Sequence, residues 1–200
     1  LMYRILRFYW FQKAGIGLLN HHTDYRRLSP VERSPALKDL PAEYVAVRFY
    51  SRPSFPDTPE NQRFAAHIIR SLSQEIPVVL LNTGLRLDDH EDLSVLGKNV
   101  YRVDELMRLE QNLEIQTEII SNARVFVGTY GGLAYVGPFY GVPSISFYST
   151  EDELIPAHID VAWRLGRKMG VAVTTLHTQT AGLLRTLFSE VLRPQAPRST

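Results

Sequence analysis

Cysteine is absent from the 200 residues. That excludes a disulfide framework, thiolate metal sites and a cysteine nucleophile. Long apolar runs are missing too: no stretch reaches the roughly 18 residues that a membrane-spanning helix needs. No small-residue cleavage site of the signal-peptide kind follows the opening residues. Charge of one sign is also scarce, since the formal net charge is only +1. No overall field therefore points to nucleic acid or to an anionic membrane. Two phosphate-binding fingerprints, GxGxxG and the GxxxxGKS/T loop, are lacking. Ser144, Ser146 and Ser149 have no nucleophile-elbow setting. His21, His22, His67, His90, His158 and His177 make no metal-ligand spacing, so a metal site is not expected from them.

With 44% apolar and 22% charged residues, the chain can bury a core and remain in solution. A cytoplasmic protein fits this composition and the missing cysteine. The chain opens on Leu1, which leads us to expect a piece of a longer protein. Its first stretch, LMYRILRFYWFQKAGIGLL, is aromatic but interrupted by Arg4, Arg7 and Lys13. Two readings stand for it. We favour a helix packed on a preceding domain; the other is an amphipathic helix making peripheral contact with a membrane. Residues 20–43 are polar and proline-bearing and read as a linker. Residues 1–43 are thus expected to be an interdomain helix and linker, ahead of a domain over 44–200.

From there the rhythm is regular. YVAVRFY (44–50) and IPVVLLN (76–82) read as strands, the second buried on both faces. KNVYRV (98–103), RVFVG (124–128), SISFY (144–148) and VAVTTL (171–176) add four more. Between them lie helical patterns. Thr58 caps the first, with Pro59 at its first position. Asn112 is expected to cap a second, running to about Asn122. A short helix follows Gly132, where Pro138 should cost a bond or force a kink. Another pattern ends at Gly170, and Thr180 opens a last one. Strands alternating with amphipathic helices predict a doubly wound, mostly parallel α/β sheet, Rossmann-like, with helices on both faces.

Ligands of such sheets bind beyond the carboxyl ends of the strands. That edge nominates Arg48 and Arg52, Asn82, Thr83 and Gly84, Arg102 through Val103 to Asp104, and Gly128, Thr129, Tyr130, Gly131 and Gly132. The glycine turn could merely permit a tight bend. It could also present backbone N–H groups, with the Thr129 hydroxyl, to an anion. Arg48 ends a strand that should be buried, so it needs an anionic partner. A carboxylate such as Asp88 or Asp89 would serve. A diphosphate held between the guanidinium and the glycine turn accounts for both features together, and we favour it. Otherwise the DDHED run (88–92) reads as a solvated acidic loop, as does EDE (151–153).

The run NLEIQTEIISNARVFVGTYGGLAYVGPFYGVPSISFYS resembles the donor-binding, C-terminal half of GT-B glycosyltransferases, with a heptosyltransferase-like pattern of strand, small-residue turn, short helix and GVPS. Tyr130 and Gly131 depart from that pattern. YVAVRFYSRPSF is similar to the corresponding opening in fucosyltransferase-like members. The resemblance spans about residues 44–192. It implies one half of a GT-B fold and a nucleotide-diphosphate sugar donor bound without cofactor or obligatory metal. Arg48 would contact the diphosphate and stabilise the leaving group, residues 128–132 would cradle it, and Val103 and Asp104 would lie near the base. The sugar or glycan acceptor, as for a cell-surface polysaccharide precursor, would meet a preceding domain that this chain lacks. A nucleotide-sugar epimerase of the same architecture, or a non-catalytic nucleotide-sugar-binding module, are the alternatives.

Overall fold

The computed structural model describes residues 24–84, 92 and 95–183. The expected opening helix therefore lies outside the described residues. So does most of the last one; where it should open, Thr178–Leu183 is 3₁₀ with a kink at Thr180.

Six strands build one sheet: β1 (Val45–Arg48), β2 (Val78–Leu80), β3 (Val100–Arg102), β4 (Val125–Thr129), β5 (Ser144–Tyr148) and β6 (Val173–His177). Their order is β3-β2-β1-β4-β5-β6, and every pairing is parallel. The Rossmann-like α/β expectation holds. Strand side chains alternate between two cores, as the pleat requires. Val45, Val47 and Phe49 pack with α1 (Pro59–Glu75) through Ala65, Ile68, Ile69 and Leu72. Tyr44 and Ala46 point the other way, toward Ile119 and Ile120 of α2 (Asn112–Ser121). Each of the valine, leucine, isoleucine and phenylalanine side chains among them contributes about 1.5–3 kcal/mol when taken from water. A strand buried on both faces must be apolar at every position, which explains the unbroken runs.

The helix signals resolve individually. Thr58 caps α1, accepting from the Asn61 N–H at 3.2 Å, with Pro59 following. Asn112 is the first residue of α2 rather than its cap. The Pro138 conflict disappears because the helix is broken in two. A 3₁₀ turn covers Gly132–Tyr135, and α3 is only Val136–Phe139. Pro138 then sits in a first turn, where no helical N–H bond is lost. The α4 helix (Pro156–Met169) ends on left-handed Gly170, φ 69°.

The polar segment before β1 is pinned to α2. The Val31 N–H donates to Ser121 Oγ at 3.1 Å, Asn122 donates to the Val31 carbonyl at 2.8 Å, and Leu37 is buried. Tyr44 anchors the same side by donating its hydroxyl to the Ile119 carbonyl at 2.7 Å. Burial pushes its phenol up to about 12, against the opposing charge of Arg33. A folded-state value above the unfolded one, about 10, protects the fold below pH 10 and loses that protection as pH rises toward 12. Urea titrations should therefore show a loss of about 2–3 kcal/mol over that window, removed in Tyr44→Phe. An unchanged alkaline slope in the variant would contradict it.

Candidate functional site

Strand order reverses between β1 and β4, so connections leave in opposite directions and open a crevice at their carboxyl ends. Arg48 and Gly128 are register partners there. A Cβ on Gly128 would collide with the Arg48 carbonyl oxygen and touch the Phe126 ring, 3.1 Å away. This glycine serves backbone packing between the two strands.

Arg48 finds its anionic partner inside the chain. Its Nε donates to Asp92 Oδ1 at 3.2 Å, and Nη1 donates to Gln116 Oε1 at 2.8 Å. Both members of the ion pair are about nine-tenths buried, with side-chain exposures of 11% and 10%. Asp92 Oδ2 accepts from the Thr83 N–H at 2.6 Å and lies 3.1 Å from the Thr83 hydroxyl. The partner is thus a carboxylate of the acidic run, as one of our two readings had it. It is Asp92, rather than Asp88 or Asp89, which lie outside the described residues. The favoured diphosphate is not needed to neutralise Arg48. Asp92 is also not part of a solvated face, since it bridges to Tyr50 and is buried against Arg48.

Thr129 is likewise committed. Its Oγ1 accepts from the Tyr50 N–H at 3.0 Å and donates to the Tyr50 carbonyl at 3.1 Å. A fully buried hydroxyl with both functions used has nothing left for a phosphate oxygen. At the β3 end, Val103 is buried in the α2-side core. Asp104 pairs with Arg102 at 2.7 Å, and that hydrogen bond lowers the Asp104 carboxyl. Gly84 comes alongside: a Cβ there would lie 3.9 Å from Asp104 Cβ. Asn82 is buried at the end of β2.

A second cluster forms on the β4 side of the crevice. Arg52 Nη1 donates to the Tyr130 carbonyl at 2.7 Å, and the guanidinium lies 5.4 Å over the Tyr130 ring. Mutual backbone bonds between Arg52 and Phe55, 3.1 and 2.9 Å, hold its loop rigid. Gly131 turns directly beneath it, at φ 158°, ψ −165°, a region open essentially to glycine. Its missing Cβ leaves the space taken by Arg52 Nη1 and Tyr50 Oη. Tyr130 donates its hydroxyl to the Ile155 carbonyl at 3.3 Å, which also accepts from the His158 N–H at 2.8 Å. Tyr135 lies beside it without hydrogen-bonding geometry, its phenol pushed far up by burial. Burial also lowers His158, helped by the Arg52 charge. Among the described residues no carboxylate pairs with Arg52, and the N–H groups of Gly131, Gly132 and Leu133 have no acceptor.

The structure therefore separates the nominated residues into three groups: Arg48 with Thr83, Arg52 with Thr129 to Gly132, and Gly84 with Asp104. Sequence reasoning missed Asp92, Gln116, Tyr50, Tyr135 and His158. The spacing of Tyr50 and Arg52, two residues apart, was a usable signal, since both side chains then leave one face of the strand end. No group of three or more metal-binding side chains occurs among the described residues.

No protein-family model matches the chain, and no curated protein matches it either. Among solved structures, the chain is similar to a glycotransferase of kitacinnamycin at 20% identity and TM-score 0.46, covering 87% of this chain and 38% of that one. It is also similar to KpsC, the beta Kdo 2,4 transferase of Thermosulfurimonas dismutans, at 15% identity and TM-score 0.37. That match covers 60% of this chain and 37% of the other. The chain thus spans well under half the length of both.

The Arg48–Asp92 pair yields a prediction of its own. Asp92→Ala strands a guanidinium in a nearly dry site and should cost about 3 kcal/mol in urea unfolding. The double replacement Arg48→Met/Asp92→Leu should cost less than the single one. Equal or greater loss in the double variant would contradict a charge-burial origin.

Proposed function

We propose that this chain is the nucleotide-sugar donor-binding domain of a glycosyltransferase. The observation that carries the reading is the meeting of the Arg52 guanidinium with the Gly131–Gly132 turn at the strand-order reversal. There, among the described residues, a guanidinium with no carboxylate partner lies against a turn whose Gly131, Gly132 and Leu133 N–H groups have no acceptor. A diphosphate supplies the complementary charge, and Tyr50, Tyr130 and Tyr135 exclude water around it, which strengthens each interaction.

In this reading Arg52 takes the direct contact first expected of Arg48, because Arg48 is already held by Asp92 and Gln116. Negative charge builds on the diphosphate as the sugar leaves, so a fixed guanidinium there stabilises the transition state more than the ground state. Gly84 and Asp104, at the far side of the crevice, would border the place left for the base, with Val103 buried beneath them rather than in contact with it. The sugar would project toward an acceptor held by a second domain, as in two-domain GT-B enzymes, and no cofactor or metal enters the scheme. A chain acting on its own is then expected to bind donor without transferring its sugar.

Calorimetric titration with UDP, GDP, ADP and CMP tests this. One diphosphate should bind, and Arg52→Ala should weaken it by about 1.5–3 kcal/mol, the range for hydrogen bonds to charged groups. Arg52→Lys should recover only part of the loss, because an ammonium cannot hold the Tyr130 carbonyl and a phosphate in one plane. Failure of all four to bind at millimolar concentration, or binding indifferent to Arg52, would overturn the reading.

A further inference from the structure

The outer face of α4 presents a large aromatic side chain to solvent. Trp163 is 55% exposed, and no ring contact among the described residues engages it. The opposite face buries Ala162, Leu165, Gly166 and Met169. Helical spacing sets Arg164, Arg167 and Lys168 on the exposed arc with Trp163, and all three are exposed. Lys168 contacts Asp24, which brings the segment beginning at Asp24 alongside the basic end of the helix. That segment adds Arg26, Arg27 and Leu28, the last 47% exposed. It is fixed in place by the Leu28 N–H on the Phe139 carbonyl at 2.7 Å and by the Arg27 guanidinium against Gly141.

Cations dominate here. Five basic side chains stand against Asp24 and Asp160, while the whole chain carries a net charge of only +1. The helix runs from the carboxyl edge of the sheet, after β5, back toward its amino edge, before β6. Its basic end therefore lies opposite the crevice. Residues 1–23 join the described chain at Asp24, and their sequence repeats the same chemistry: Tyr3, Phe8, Tyr9, Trp10 and Phe11 among Arg4, Arg7 and Lys13.

We propose that this face rests on an anionic membrane surface, with Trp163 at headgroup depth and Arg164, Arg167 and Lys168 on lipid phosphates. An amphipathic indole beside snorkelling bases suits an interface that is apolar on one side and charged on the other. A single-stranded nucleic acid would want a basic groove with several stacking rings. This surface is a convex helix with one ring, and an exposed leucine has nothing to offer a phosphate chain. The crevice, on the opposite edge, stays open to solution.

Sedimentation of the 200-residue chain with phosphatidylcholine vesicles, with and without about 30% phosphatidylglycerol, tests the proposal. Binding should require phosphatidylglycerol and fall as salt rises. The triple variant Arg164→Gln/Arg167→Gln/Lys168→Gln should lose about tenfold or more in partitioning while melting as the parent does. In a Trp10→Phe background, Trp163 emission should shift to the blue on anionic vesicles, and Trp163→Ser should weaken binding even if the triple variant misfolds. No binding to phosphatidylglycerol vesicles would overturn the proposal. So would full retention in both variants (binding then residing in residues 1–23), an unshifted Trp163, or preference for a single-stranded RNA oligonucleotide.

Discussion

A guanidinium at the end of a fully buried central strand governs this edge of the molecule. Arg48 closes β1 beside Gly128, where strand order reverses and no crossover covers the sheet. Leaving it unpaired would cost several kcal/mol, of order 3–5. Asp92 and Gln116 meet that demand, and Asp92 draws in the Thr83 N–H as well. One charge thus ties the ends of β1 and β2 to the middle of α2 and to a residue of the loop that follows β2. The crevice keeps its shape because its floor is an electrostatic network rather than a loose turn.

That settlement moves the free charge elsewhere. With Arg48 neutralised, the cation facing the glycine turn is Arg52, held by the Tyr130 carbonyl and ringed by tyrosines. The same low-polarity surroundings raise the Tyr130 phenol and lower His158, both chiefly through burial. Neutral phenols and a neutral imidazole around one guanidinium make a positive site in a poorly screened environment. An anion placed there gains more than it would on an open surface. Thr129 contributes indirectly, by locking Tyr50 and hence the wall of the site.

The fold was legible because its signals are local. Doubly buried strands show as unbroken apolar runs, and Thr58-Pro59 and Gly170 mark helix ends through chemistry confined to a few residues. Pro138 pointed to a break that the pattern alone could not place, and the 3₁₀ turn supplies it. The site was legible as a location and less so as a set of partners. Arg48 did require an anion, but which of several neighbouring carboxylates reaches it depends on the loop path, which periodicity does not encode. Thr129 resembled a phosphate ligand by type; its hydroxyl is consumed by a backbone 79 residues away. His158 comes from α4, an element with no spacing relation to the glycine turn, so only the folded chain brings it near Arg52.

On the proposed function, the Gly131–Gly132 turn and Arg52 form one anion site. Amide NMR of the chain during titration with inorganic pyrophosphate examines it directly. The Gly131, Gly132 and Leu133 amides should shift together with the Arg52 side-chain resonance, following a single saturation curve. Shifts confined to other surfaces, or a glycine turn that does not respond, would contradict it.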